Sequence, residues 1–210
     1  MHAMYFYTNY LTLIFSLIYF SCSSTKPIKK PVIDKVKPIN HSIISEITKF
    51  NINISDHSQI SGIEFFINDT IEYFDETPPF SWNFNTSIFP NKTLISLKVR
   101  PKALGLDTLK FISFNYQIDN SKFYPKAVNI RSVNYDKDEM IIKWNKSTDN
   151  DFFKYKLISL KNEKVTTLKE IKNIDDTTYS IVKFDPTIKN LFQISTIDTI
   201  GLETFGNKKS

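Results

Sequence analysis

The sequence predicts an all-β protein: two β-sandwiches in series behind an N-terminal export segment and a short tether. Three observations carry that prediction. Beyond residue 40, apolar residues recur at every second position, the period of a strand with one buried face. These stretches are short and are separated by turn signals such as Asn68-Asp69, Pro90-Asn91 and Leu104-Gly105. Glycine is scarce, at 4 residues, whereas Phe alone numbers 18, and aromatic and β-branched side chains suit a pleated surface.

The first element is an apolar run from Leu11 to Phe20 that stops at Ser21-Cys22. An apolar run followed by a small residue has the arrangement of an export signal. It is short for a permanent membrane span, which takes about 20 residues. Cys22 is the single cysteine of the chain. The segment resembles a bacterial lipoprotein signal peptide covering residues 1–21. That resemblance implies an acylated (palmitate-bearing) Cys22, attachment to a bacterial membrane through the lipid, and an extracytoplasmic place in the cell envelope. The residues alone leave other readings open: an ordinary signal peptide or an uncleaved anchor, in either of which Cys22 is a free thiol, or a buried core segment. All of them leave the mature part without a disulfide.

Residues 22–40 read as a tether. Pro27, Pro31 and Pro38 favour extended, polyproline-like chain. Five Lys stand against one Asp, so the segment holds +4 of the chain's +5. The basic balance therefore belongs mostly to the tether, where it suits either a soluble spacer or attraction to an anionic surface. It does not mark a basic face on a domain, and a nucleic-acid partner is not expected.

Residues 41–120 form the first predicted sandwich. Strand alternations run through Phe50–Ile54, Ile63–Ile67, Phe80–Phe84, Ile95–Val99 and Ile112–Ile118. Residues 121–210 form the second, with seven strand-like runs between Val128 and Phe205. The first half carries 6 basic and 9 acidic groups, a net −3, and the second carries 16 and 12, a net +4.

Both halves resemble known modules. In the second, Pro125, the Ile142-Lys143-Trp144 strand, Ser147-Thr148-Asp149-Asn150-Asp151-Phe152-Phe153-Lys154-Tyr155 and Asp198-Thr199-Ile200-Gly201 resemble a fibronectin type III domain. The resemblance implies Trp144 and Tyr155 in the core. Phe192 stands where the family's corner tyrosine is expected, so a hydroxyl-to-backbone bond is expected to be missing there. In the first half, Ser61-Gly62-Ile63-Glu64-Phe65 and Thr77-Pro78-Pro79-Phe80-Ser81-Trp82 resemble a bacterial immunoglobulin-like domain, with Trp82 as its core tryptophan.

Candidate chemistry is sparse. Asp149, Asn150 and Asp151 could supply oxygens to Ca²⁺, but three residues fall short of the 6–8 ligands that ion takes, and Asp and Asn also cap turns. Asp75-Glu76 is the best carboxylate pair for acid–base work, and it reads as a solvated loop. His41 and His57 have no partner at a metal-ligand spacing. No phosphate-binding loop or nucleophile elbow occurs. No cofactor, metal or catalysis is expected. Phe152 and Phe153 are neighbours on one strand, so one of them should face outward and offer a binding surface. The expected function is a non-catalytic exported lipoprotein that binds, spaces or assembles envelope components through protein or glycan partners. The alternatives are a polysaccharide-binding accessory protein and, last, a hydrolase with an unrecognised site.

Overall fold

A computed structural model describes residues 31–105, 109–161, 164–185 and 187–210. The export segment and Cys22 lie outside the described residues. What is described is built of strands, with one 3-10 turn at Thr86–Ile88.

The first sandwich uses β1 (Ile33–Lys37), β2 (Ile43–Ile44), β3 (Ile47–Ile54), β4 (Ile60–Ile67), β5 (Thr70–Asp75), β6 (Ser81–Asn85), β7 (Leu94–Ala103) and β8 (Ile112–Ile118). One sheet has the order β1-β3-β6 and the other β2-β8-β7-β4-β5. Phe50, Ile63, Phe65, Leu97, Val99 and Ile118 are fully buried between them, and burying each such side chain stabilises by about 1.5–3 kcal/mol. The β4–β5 hairpin turns on Asn68 and Asp69, both at positive φ, as a two-residue turn between twisted strands requires.

The second sandwich uses β9 (Ile130–Asp136), β10 (Glu139–Trp144), β11 (Phe152–Lys161), β12 (Lys164–Ile171), β13 (Thr178–Ile181), β14 (Leu191–Asp198) and β15 (Glu203–Lys209). Its sheets are β13-β10-β9 and β12-β11-β14-β15. Met140, Ile142, Trp144, Tyr155, Leu157 and Ile194 form a separate core. The tandem β-sandwich class is therefore the architecture of the chain.

Two boundaries differ from the sequence reading. The tether was expected to run to residue 40, yet Ile33–Lys37 is a strand paired with β3. Val36 inserts into the core with Ile33 packed beside it, and so short a Lys-rich stretch leaves too little alternation to mark a strand. Pro125 is buried, and the run expected to begin at Val128 pairs as a strand only from Ile130.

The sandwiches meet in a short, hydrogen-bonded joint. Asn120 is fully buried, and its Oδ1 accepts from Glu46 N at 2.7 Å and Thr86 Oγ1 at 3.0 Å. Lys126 N donates to Asp149 Oδ2 at 3.0 Å on the other side. A second contact sits nearby: the Ile200 carbonyl accepts from Asn85 Nδ2 at 2.9 Å and Ser87 Oγ at 2.5 Å.

Candidate functional site

The β5 and β6 strands are edges of opposite sheets on the same side of the first sandwich. Trp82 points from β6 into the gap between the sheets and packs on Phe50, Phe65 and Phe84. Tyr73 comes from β5 and stacks on Trp82, with ring centroids 6.1 Å apart and planes 11° apart. Tyr73 keeps 41% of its surface exposed. Trp82 was expected in the sealed core, but it is only partly buried, because it fills the open side of the sandwich rather than its centre.

The loop between β5 and β6 is shaped by Asp75. One carboxylate oxygen accepts from Thr77 N at 3.1 Å and Thr77 Oγ1 at 3.3 Å, and the other from Ser81 N at 2.7 Å. This buried carboxylate is occupied by backbone, and its neighbour Glu76 is exposed, so the pair faces no common reacting point. Pro78 and Pro79 form a ridge with a depression on each side. One, of about 600 Å³, is lined by Tyr73, Trp82, Lys49, Asn83 and Thr77. The other, of about 750 Å³, includes Asn53, Ser55 and His57. His57 lies edge-on to Phe80 at 6.4 Å and belongs to this surface.

The remaining sequence candidates are dispersed. Phe153 is 43% exposed beneath the Lys154 and Lys172 ammonium groups at 5.6 and 5.7 Å. Phe152 turns inward against Tyr155 at 4.5 Å. Asp149 accepts from Lys126 N and from Ser147 Oγ, the latter at 3.1 Å, while the Asp151 carbonyl accepts from Thr199 N. Among the described residues no group of His, Cys, Asp or Glu is placed to hold a metal ion. Trp144 packs edge-on against Tyr155. The Tyr155 hydroxyl accepts from Ser147 N at 2.7 Å and donates to the Ile174 carbonyl at 3.0 Å. Burial raises its pKa. Phe192 is buried and lacks a hydroxyl, and Tyr155 makes a hydroxyl-to-backbone tie of its own from β11.

Sequence reading missed two groups. Outside the five-stranded sheet, Arg100 bonds Glu64 at 2.6 Å and lies over the rings of Phe111 at 4.5 Å and Phe66 at 5.4 Å. The alternation of outward Glu64, Phe66 and Arg100 held this signal. The other is Asp198, 1% exposed, whose Oδ1 accepts from the backbone amides of Ile200, Gly201 and Leu202 at 2.7–3.0 Å. Its Oδ2 is buried with no partner among the described residues. Desolvation, with a smaller push from Asp151, raises its pKa. Those amides hold the turn that offers the Ile200 carbonyl to Asn85 and Ser87.

The strand orders and paired cores define tandem sandwiches of the immunoglobulin-like and fibronectin type III kind. Residues 31–100 match the bacterial Ig domain family. That match takes in β1 to β6 and most of β7. Bacterial Ig domains are commonly extracellular or surface-exposed. No curated protein matches the chain. Among solved structures, the fibronectin(III)-like modules of Clostridium thermocellum CbhA share 12% identity over 86% of this chain and 90% of theirs, at a TM-score of 0.37. Fibronectin domains of chicken CNTN1 share 11% over 84% and 61%, at 0.34. A domain segment of titin shares 13% over 86% and 64%, at 0.33.

Proposed function

We propose that the chain is a non-catalytic exported lipoprotein, held to a bacterial envelope membrane through Cys22, in which the two sandwiches bind, space or assemble envelope components. The joint carries this reading. Asn120, Lys126–Asp149 and the doubly held Ile200 carbonyl pin both ends of the connection, as a spacer that keeps its modules in register requires. Asp75, Asp149 and Asp198 support the same reading, because a carboxylate oxygen of each accepts from a backbone amide.

Two measurements test it. Intact mass and detergent partitioning of the native protein, with and without Cys22→Ser, should show a lipid that the variant lacks; an unmodified, water-soluble wild type overturns the anchor. Amide relaxation should give one common tumbling time for both sandwiches, separating into two in an Asn85→Ala/Ser87→Ala variant. Independent tumbling in the wild type overturns the fixed spacing. A second reading, a polysaccharide-binding accessory protein, is favoured by one observation: Tyr73 and Phe153 are half-exposed aromatic rings on strands.

A further inference from the structure

We propose that the cleft along the β5–β6 side of the first sandwich binds a neutral polysaccharide chain, with Tyr73 as the stacking platform. The inference takes its ligand class from the polysaccharide reading above and places it on residues of its own. Four features of the cleft carry it.

The first is the platform. The Tyr73 ring is fixed by its stack on Trp82, which is itself wedged among core aromatics. A ring held in place loses little freedom when a ligand settles on its open face. A saccharide ring has a C–H face that packs on such a surface and a hydroxyl periphery that needs hydrogen bonds. The second feature supplies those bonds. Lys49 Nζ and the Asn83 amide stand at the rim, cross-strand neighbours on β3 and β6, and neither has a hydrogen-bond or ion-pair partner among the described residues. The charged residues lining this depression are Lys49 and Asp75, one of each sign, so the rim favours no net charge on the ligand.

The third feature is shape. The depressions of about 600 and 750 Å³ share the Pro78–Pro79 ridge, and each is within the range of small-ligand sites. Two adjoining subsites suit a chain of rings better than a compact molecule. The fourth feature argues against the other extended ligand, a peptide added as a strand. Such a peptide needs a free backbone ladder. Here Ser81 N is already taken by Asp75, and β5 carries a register shift between its pairings with Phe65 and Phe66 that breaks its edge.

The test uses the protein from residue 23 onward, both sandwiches included, with cellohexaose, xylohexaose and mannohexaose as probes, read by amide chemical shifts and calorimetry. One of the probes should shift Tyr73, Thr77, Trp82 and Asn83. Tyr73→Ala should weaken it by roughly tenfold or more. Tyr73→Phe should keep most of the affinity, since the stacking face remains. Lys49→Ala and Asn83→Ala, at exposed positions away from the core, should each weaken it several-fold. This keeps the test valid if Tyr73→Ala disturbs the fold. No binding of any probe overturns both this site and the polysaccharide reading. Binding that survives Tyr73→Ala and is lost in Phe153→Ala overturns the site and leaves that reading standing. Shifts in the cleft only with an extended peptide, and none with the hexasaccharides, overturn the proposal in favour of a protein partner.

Discussion

In the first sandwich the leading strand divides between the sheets: β1 pairs antiparallel with β3, and β2 pairs parallel with β8. In the second, β9 stays on β10 and reaches β15 through side chains. Asn129 Oδ1 accepts from Asn207 N at 2.8 Å, Asn207 Oδ1 accepts from Ile130 N at 2.7 Å, and Lys209 Nζ donates to the Arg131 carbonyl at 2.8 Å. Both devices satisfy edge amides that would otherwise face solvent unpaired. They place different demands on sequence. The first needs a break, provided by Pro38, which has no N–H, and by His41 at φ 64°. The second needs space: a Cβ on Gly206 would lie 1.8 Å from the Val128 carbonyl oxygen.

The cores differ too. Trp144 is 1% exposed at the centre of the second, whereas Trp82 plugs an open side of the first. Trp144→Ala should therefore be the most damaging change, costing the second sandwich about 3–5 kcal/mol. In urea, circular dichroism should show an early transition while Trp82 fluorescence keeps its midpoint. A Trp82 midpoint that falls equally would mean the sandwiches unfold as one unit. Gly206→Ala comes next, at about 1–3 kcal/mol from forced separation of β15 and the Val128 backbone. An unchanged midpoint would show that the contact relaxes freely.

The tyrosine ties sharpen the comparison at smaller cost. Tyr155 holds two backbone groups, and Tyr116 holds one, the Pro38 carbonyl at 2.9 Å. Burial pushes the Tyr116 pKa up to about 12. Tyr155→Phe strands Ser147 N and the Ile174 carbonyl and should cost about 1–3 kcal/mol; Tyr116→Phe should cost about 1 kcal/mol. Each is read from the tryptophan of its own sandwich, with the other replaced by Phe. Equal losses would remove the distinction.

The smallest effect is one of pH. The raised pKa of Asp198 means that the folded second sandwich holds a proton that the unfolded chain releases. Its contribution is therefore largest at acid pH and is lost as pH rises through the raised value. Asp198→Asn keeps the Oδ1 acceptor and removes the charge. The wild type minus variant difference in urea midpoint should move steadily in the wild type's favour from about pH 7 to about pH 4, as the wild-type carboxylate takes up its proton. A difference that does not vary with pH would end this account.

Much of this was legible in the chain. All seven strands of the second sandwich overlap the seven predicted runs, because apolar and β-branched residues recur in each between turn residues. The first sandwich was harder. β1 offers only buried Val36 and half-buried Ile33 to the core, β2 has two residues, and β5 is an exposed edge on which Ile71 and Tyr73 keep much of their surface in solvent. Edge strands bury too little to leave a pattern. The cleft was invisible for the same reason. Tyr73 and Trp82 are nine residues apart and meet only because β5 and β6 end opposite sheets on one side. The role of Asp198 depends on three amides of its own turn, and sequence offered only the Asp-x-x-Gly spacing.

The parallel β2–β8 patch has a mechanical consequence. Tension applied to the chain pulls on residues before β2 from one end and on those after β8 from the other. In a parallel pair these ends point in opposite directions, so the load runs along the strands. The bonds from His41 N to the Asn115 carbonyl, from Gln117 N to the Ser42 carbonyl and from Asp119 N to the Ile44 carbonyl then stretch together. A patch sheared in this way gives way all at once rather than bond by bond. The first sandwich thus has a two-residue strand as its mechanical fuse, paired with the strand that leads into the joint.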